Sequence, residues 1–215
     1  MTTIALFGAT GKTGRRVLDR AIDAGYDVRA LVRDPAKLDP AVVDRAGERL
    51  TVIRGDVTDP ASVARTIAGA DAVLSLFGQV KGSPKTLQTD GTRVIVEAMQ
   101  QAGVRRIVTL SGGGLSAPDD RPKAPDRIMR FLPKTMAGHV LADAEGHLEV
   151  LQGSGLDWTV VRGPRLTEDP GTGSYRHGWV GVGTGMQISR DDLADFILTQ
   201  VDDREFVGAM PFVSA

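Results

Sequence analysis

The chain has 215 residues, 41% of them hydrophobic, with 26 basic and 27 acidic side chains giving a formal net charge of −1. That length can bury one substantial core and falls in the size range of a single domain, while the evenly spread charge offers no basic stripe for nucleic acid. The absence of cysteine excludes disulfides, thiolate catalysis and thiolate metal ligands. No apolar run approaches the roughly 20 residues of a membrane span, and the first strand pattern starts almost at Met1, so a cytoplasmic protein without a signal peptide is expected.

Residues 2–7 (TTIALF) read as a short apolar strand that runs into Gly8-Ala9-Thr10-Gly11-Lys12-Thr13-Gly14. Residues 15–24 follow as a helix with Val17, Leu18, Ala21 and Ile22 on one face, and residues 27–32 (DVRALV) as the next strand. A glycine-spaced turn between a strand and a helix lets backbone approach a pyrophosphate, and the helix start offers free N–H groups to it. Gly11-Lys12-Thr13 looks like the tail of a phosphate-binding P-loop, but the first glycine of that motif would fall on Leu6. Lys12 is therefore read as a residue flanking the helix start. Further strands are expected at 50–54, 72–77 and 106–110, with helices at 61–67 and 86–101 between them. Asp59-Pro60 supplies a helix start, and Val94, Ile95, Ala98 and Met99 a core face. This alternation predicts a Rossmann-like α/β fold, a doubly wound parallel sheet with both faces covered.

Beyond Ser111 and its three glycines the pattern changes. Residues 112–135 read as a long connection, 139–152 as a helix, 158–162 as a strand, 163–186 as a second irregular stretch, 190–201 as a helix and 206–213 as a terminal strand. Residues 1–215 are expected to form one domain, with a small loop-rich substrate lobe built from about 112–138 and 163–189. Ligands of open α/β sheets bind beyond the carboxyl ends of the strands, which is where these two stretches begin.

Candidate chemistry lies at the strand ends. Arg33 ends the second strand, about 20 residues beyond the glycine turn, where NAD-specific proteins place an acid for the ribose hydroxyls. Arginine favours a 2′-phosphate instead, with Lys37 as a second cation; the alternative is a solvated strand-end arginine. Asp56 and Val57 either flank an adenine or sit in a turn. Leu76, Phe77 and Gly78 either lie beside the ribose and pyrophosphate or belong to the core. Ser111 can donate to a substrate oxygen or to a nicotinamide carboxamide, or it is a simple turn serine. Tyr-x-x-x-Lys, the usual proton-transfer pair of short-chain dehydrogenases, is missing: Tyr26 is followed four residues later by Ala30, and Tyr175 by Trp179. His139, Asp143 and His147 share one helix face, read as solvated rather than as a metal site, and no metal is expected. His177 beside Trp179 is a candidate substrate contact.

Taken together, Gly8-Ala9-Thr10-Gly11-x-Thr13-Gly14, Leu31-Val32-Arg33-Asp34, Gly55-Asp56-Val57, Val104-Arg105-Arg106-Ile107-Val108 and Ser154-Gly155-Leu156-x-Trp158-Thr159 resemble the atypical short-chain dehydrogenases, the NmrA-like NAD(P)-binding proteins. Ala24-Gly25-Tyr26-x-Val28 and the Arg33 segment look most like the NADPH-dependent flavin reductase and biliverdin reductase branch. The resemblance implies cofactor contacts at Gly8, Thr10, Gly11, Thr13, Gly14, Arg33, Lys37, Asp56, Val57, Gly78 and Ser111, and hydride transfer to a flavin or linear tetrapyrrole. Two positions depart from the branch: Val80 stands where it carries arginine, and Arg165 where it carries histidine. The expected protein is an NADPH-dependent reductase of a planar small-molecule acceptor such as a flavin or quinone, with NADP(H) as cofactor and neither nucleic acid nor membrane as partner. A regulator that senses NADP(H) without turning it over is the alternative.

Overall fold

The computed structural model describes residues 1–80, 82–112, 114–122 and 138–215. Short segments rich in β-branched and other apolar residues become the central strands: β1 (Thr3–Phe7), β2 (Asp27–Val32), β3 (Leu50–Arg54), β4 (Ala72–Ser75), β5 (Arg106–Gly112) and β6 (Asp157–Gly163). Segments with helical spacing become α1 (Gly14–Asp23), α2 (Pro40–Ala46), α3 (Pro60–Ile67), α4 (Leu87–Ala102), α5 (Gly138–Gln152) and α6 (Arg190–Thr199). Short strands β7 (Arg165–Thr167), β8 (Arg176–Gly178), β9 (Gln187–Ser189) and β10 (Phe212–Ser214) complete the described chain.

Eight strands form one sheet in the order β3-β2-β1-β4-β5-β6-β10-β8, parallel except for the β10–β8 pair, and β7 with β9 forms a second, two-stranded sheet. Alternation along the strands divides the core between the two faces. Ile4 and Leu6 of β1 join Val17, Leu18 and Ile22 of α1 and Leu193 and Ile197 of α6. Ala5 and Phe7 point the other way, toward Val63, Ile67, Ile95, Met99 and Leu151. The strand order reverses between β1 and β4, which opens a crevice at their carboxyl ends. No helix among the described residues is long and apolar enough to cross a membrane.

Several elements differ from expectation. α2 was not foreseen, although Asp39 caps it by accepting from the Ala41 N–H and Pro40 takes its first position. The terminal strand is confined to Phe212–Ser214, because Gly208 turns the preceding run with φ +73°. The irregular stretch 163–186 contains two short strands, β7 and β8, and β9 follows directly; the pairing partners are far off in sequence, Gly178 facing Phe212 and Arg165 facing Gln187. Residues 123–137, most of the long connection expected after β5, lie outside the described residues.

Candidate functional site

A cleft of about 170 Å³ lies at the carboxyl ends of β1 to β4. Gly8, Thr10 and Gly11 form its floor, Leu31, Val32 and Arg33 one side, Gly55 and Val57 the next, and Leu76, Phe77, Gly78, Val80 and Leu87 the other. The floor depends on missing side chains. Gly8 has φ +90°, and a Cβ there would stand 2.7 Å from the Leu76 carbonyl carbon. At Gly14 a Cβ would stand 2.0 Å from the Gly8 oxygen, so the first turn of α1 can close against β1 only with glycine. Thr13 at the N-cap of α1 makes no side-chain capping bond; the Arg15 and Arg16 N–H groups donate to the Gly11 and Thr13 carbonyls at 3.0 Å, so an anion at this helix start would meet the remaining N–H groups.

Of the expected cofactor residues, Gly8, Thr10, Gly11, Arg33, Val57, Leu76, Phe77 and Gly78 line the cleft, and Gly14 closes the turn beneath it. Arg33 and Lys37 are exposed, and neither side chain has an ion-pair or hydrogen-bond partner among the described residues. Other expected residues stand outside the lining. Lys12 reaches Glu168 at 3.1 Å, and the buried Thr13 hydroxyl accepts from Arg190 at 3.0 Å. Asp56 Oδ1 closes a turn by accepting from the Thr58 N–H at 3.0 Å and the Thr58 hydroxyl at 2.7 Å. Phe77 packs on α4 at Gly91, where a Cβ would stand 2.8 Å from its ring, so it is wall and core at once.

Ser111, the penultimate residue of β5, is not among the residues lining the cleft; only 7% of its surface is exposed, and its Oγ has no hydrogen-bond partner among the described residues. A buried hydroxyl without a partner costs free energy unless a ligand or water completes it. Beside it in register is Arg162 of β6, fully buried, whose guanidinium bonds both oxygens of Asp120 at 2.7 and 2.9 Å and donates to the Leu115 and Met210 carbonyls. Burial alone would raise the Asp120 carboxyl, but hydrogen bonds from Arg162, Ala117 and Val180 outweigh it and hold the group below the usual carboxylate range. This brace ties both irregular stretches to the sheet. It was missed because an arginine closing a buried strand and an aspartate in a loop 42 residues away carry no local signal.

The His139, Asp143 and His147 face is not solvated. Asp143 is 3% exposed and accepts from the Gln88 and Thr89 N–H groups, the Thr89 hydroxyl and Gln79 Nε2 at 2.7 to 2.9 Å. It thereby caps α4, whose own N-cap Thr86 makes no side-chain capping bond. His147 is 2% exposed, with Nδ1 2.7 Å from the Thr92 hydroxyl and Nε2 3.1 Å from the Thr109 hydroxyl. Burial pushes its pKa down to about 4 despite the charge on Asp143. His139 alone faces solvent. His177 is likewise not a cleft residue: it pairs with Val213 at the sheet edge and packs on Phe196 and Phe206, with ring centroids 5.4 and 5.5 Å away.

Residues 8–204 match the family described as NAD(P)H-binding, and the chain belongs to it. NAD(P)H is its cofactor. The chain is 28% identical over 209 residues to an uncharacterized sugar epimerase, YhfK of Bacillus subtilis (strain 168), covering 94% of this chain and 88% of that one. It is 33% identical over 132 residues to cinnamoyl-CoA reductase 1 of Oryza sativa subsp. japonica, covering 59% of this chain and 38% of that protein. The chain thus spans well under half the length of the longer curated relatives it matches. A short-chain dehydrogenase/reductase from Veillonella parvula superposes with a TM-score of 0.82 at 20% identity, covering 99% of this chain and 94% of that one, which establishes the Rossmann-like fold.

Proposed function

We propose that the protein is an NADPH-dependent reductase that passes a hydride to a planar acceptor such as a flavin or quinone. Family membership and a cinnamoyl-CoA reductase among its relatives support NAD(P)H-dependent oxidoreduction in general. The observation that carries the reading further is the buried Ser111 hydroxyl at the carboxyl end of β5, which has no partner among the described residues. On this reading a modest opening at the carboxyl end of β5, beyond the lining of the cleft at β1 to β4, lets it bond the nicotinamide carboxamide or an acceptor oxygen.

The glycine turn and the uncapped start of α1 hold the pyrophosphate, Leu31, Val57 and Phe77 flank the adenosine half, and Arg33 with Lys37 receives the 2′-phosphate. Two cations at and just beyond the end of β2, without partners among the described residues and standing where an acid would repel a phosphate, favour NADPH over NADH. When bound, the cofactor supplies a hydride. Ser111 aligns the reacting rings, and water provides the proton that completes reduction of the acceptor, so Tyr-x-x-x-Lys is not required. Steady-state oxidation of NADPH with FMN, riboflavin and simple quinones tests this, with turnover expected only when an acceptor is added. Tight NADPH binding without consumption across that panel would favour the regulatory alternative.

A further inference from the structure

Four cations converge on one carboxylate at the start of α1. Glu168, the residue after β7, lies 3.1 Å from Lys12, 3.1 Å from Arg16, 3.1 Å from Arg190 and 4.0 Å from Arg15. Lys12 belongs to the glycine turn itself, Arg15 and Arg16 to the first turn of α1, and Arg190 bonds the Thr13 hydroxyl at the same helix start. Glu168 comes from the opposite side, out of the irregular stretch assigned to the substrate lobe. Its carboxylate is about half exposed, so no burial requirement holds it there; the surrounding positive charge does.

The cations that follow β2 behave differently. Arg33 and Lys37 have no partner among the described residues, whereas Lys12, Arg16 and Arg190 share theirs. One set is open to a phosphate, and the other is already answered by Glu168, with Asp191 as a second partner of Arg16 at 3.1 Å.

We propose that Glu168 is an intramolecular competitor for the cofactor's pyrophosphate, drawing Lys12 and its neighbouring arginines away from the dinucleotide and so weakening its binding. The inference rests on the dinucleotide reading of the cleft but not on the reductase activity. A carboxylate at the helix start lowers the positive potential that attracts the diphosphate, and Lys12 cannot fully engage both anions. Since NADH and NADPH share the diphosphate, Glu168 acts on both alike and leaves the choice between them to Arg33.

The test is fluorescence titration of Glu168→Gln and Glu168→Asp with NADPH and NADH at low and high salt, with inorganic pyrophosphate as a competitor. Neutralising one exposed carboxylate among several cations is expected to lower Kd by roughly three- to tenfold for both cofactors at low salt. The ratio of the two Kd values stays at the parent value, and pyrophosphate displaces the dinucleotide more readily. The gain disappears near 1 M salt, where the screening length is about 3 Å. Glu168→Asp retains the charge and behaves as the parent. Unchanged or weaker binding in Glu168→Gln would overturn the proposal, because Glu168 would then be aligning Lys12 rather than withholding it. A gain confined to NADPH would also overturn it, by assigning Glu168 to the 2′-phosphate. Failure of the parent protein to bind either dinucleotide would overturn the cofactor reading as well, whereas binding without turnover would leave this inference standing.

Discussion

At the scale of single residues, charge that is already paired and charge that is free divide the labour of the cleft. Arg33 has no competing partner among the described residues, so its guanidinium can meet a 2′-phosphate without first breaking any bond they make. A charge-assisted contact of this kind contributes about 1.5–3 kcal/mol. Arg33→Ala is therefore expected to cost roughly ten- to a hundredfold in NADPH affinity while NADH changes little, and titration with both cofactors checks it. His147 makes a separate prediction about pH. Its folded pKa of about 4 lies below the ordinary histidine value of 6.5, so the unfolded chain binds the extra proton between those values and the native state does not. The stability associated with neutral His147 is then fully present above about pH 6.5 and is lost as pH falls toward 4, on the order of 3 kcal/mol in all. Urea denaturation of the parent and His147→Gln across that window should give a shallower pH dependence for the variant; equal slopes would refute the assignment to His147.

At the scale of elements, what could be read from the sequence was what neighbouring residues determine. β1, its glycine turn and α1 follow from an apolar run, a glycine spacing and a 3.6-residue face within two dozen positions, and the structure agrees nearly residue by residue. Asp59-Pro60 fixed the start of α3 in the same local way. The face of α5 could not be read so. Asp143 and His147 look solvent-seeking until Thr89, Thr92 and Thr109, 38 to 55 residues away, supply their hydrogen bonds. A polar side chain is buried when its partners are present, and those partners come from other elements. Asp143 gives this a consequence for the cleft. It caps α4 and holds Gln79 in the segment beside Gly78 and Val80. Asp143→Ala should cost at least the 0.5–2 kcal/mol typical of a lost helix cap, and should raise the KM for NADPH more than it lowers kcat. A melting curve and steady-state kinetics would separate the two effects.

At the scale of the whole molecule, the parallel sheet supplies the cleft, and the irregular stretches of the second half are tied to that sheet by specific contacts. The Asp120–Arg162 pair is a buried connection between these parts. Arg162 is anchored in β6 through the Met210 carbonyl, and Asp120 also accepts from the Val180 N–H at 3.0 Å, so one ion pair joins the chain after β5, the central sheet and the stretch after β8. Gly181 allows the approach, because a Cβ there would stand 2.0 Å from the Arg121 oxygen. None of this was legible in advance, since the two charged residues carry no motif and their partners are mostly backbone groups from three segments. The energetic consequence is asymmetric. Asp120→Ala leaves a buried guanidinium without its carboxylate, which costs on the order of 3–5 kcal/mol, whereas replacing both partners by apolar residues removes the uncompensated charge. The double variant Asp120→Ala/Arg162→Leu is accordingly expected to melt above Asp120→Ala alone, while remaining below the parent because Val180, Ala117 and the Met210 carbonyl lose their partners. If Asp120→Ala melted with the parent, the pair would not be holding the two irregular stretches to the sheet.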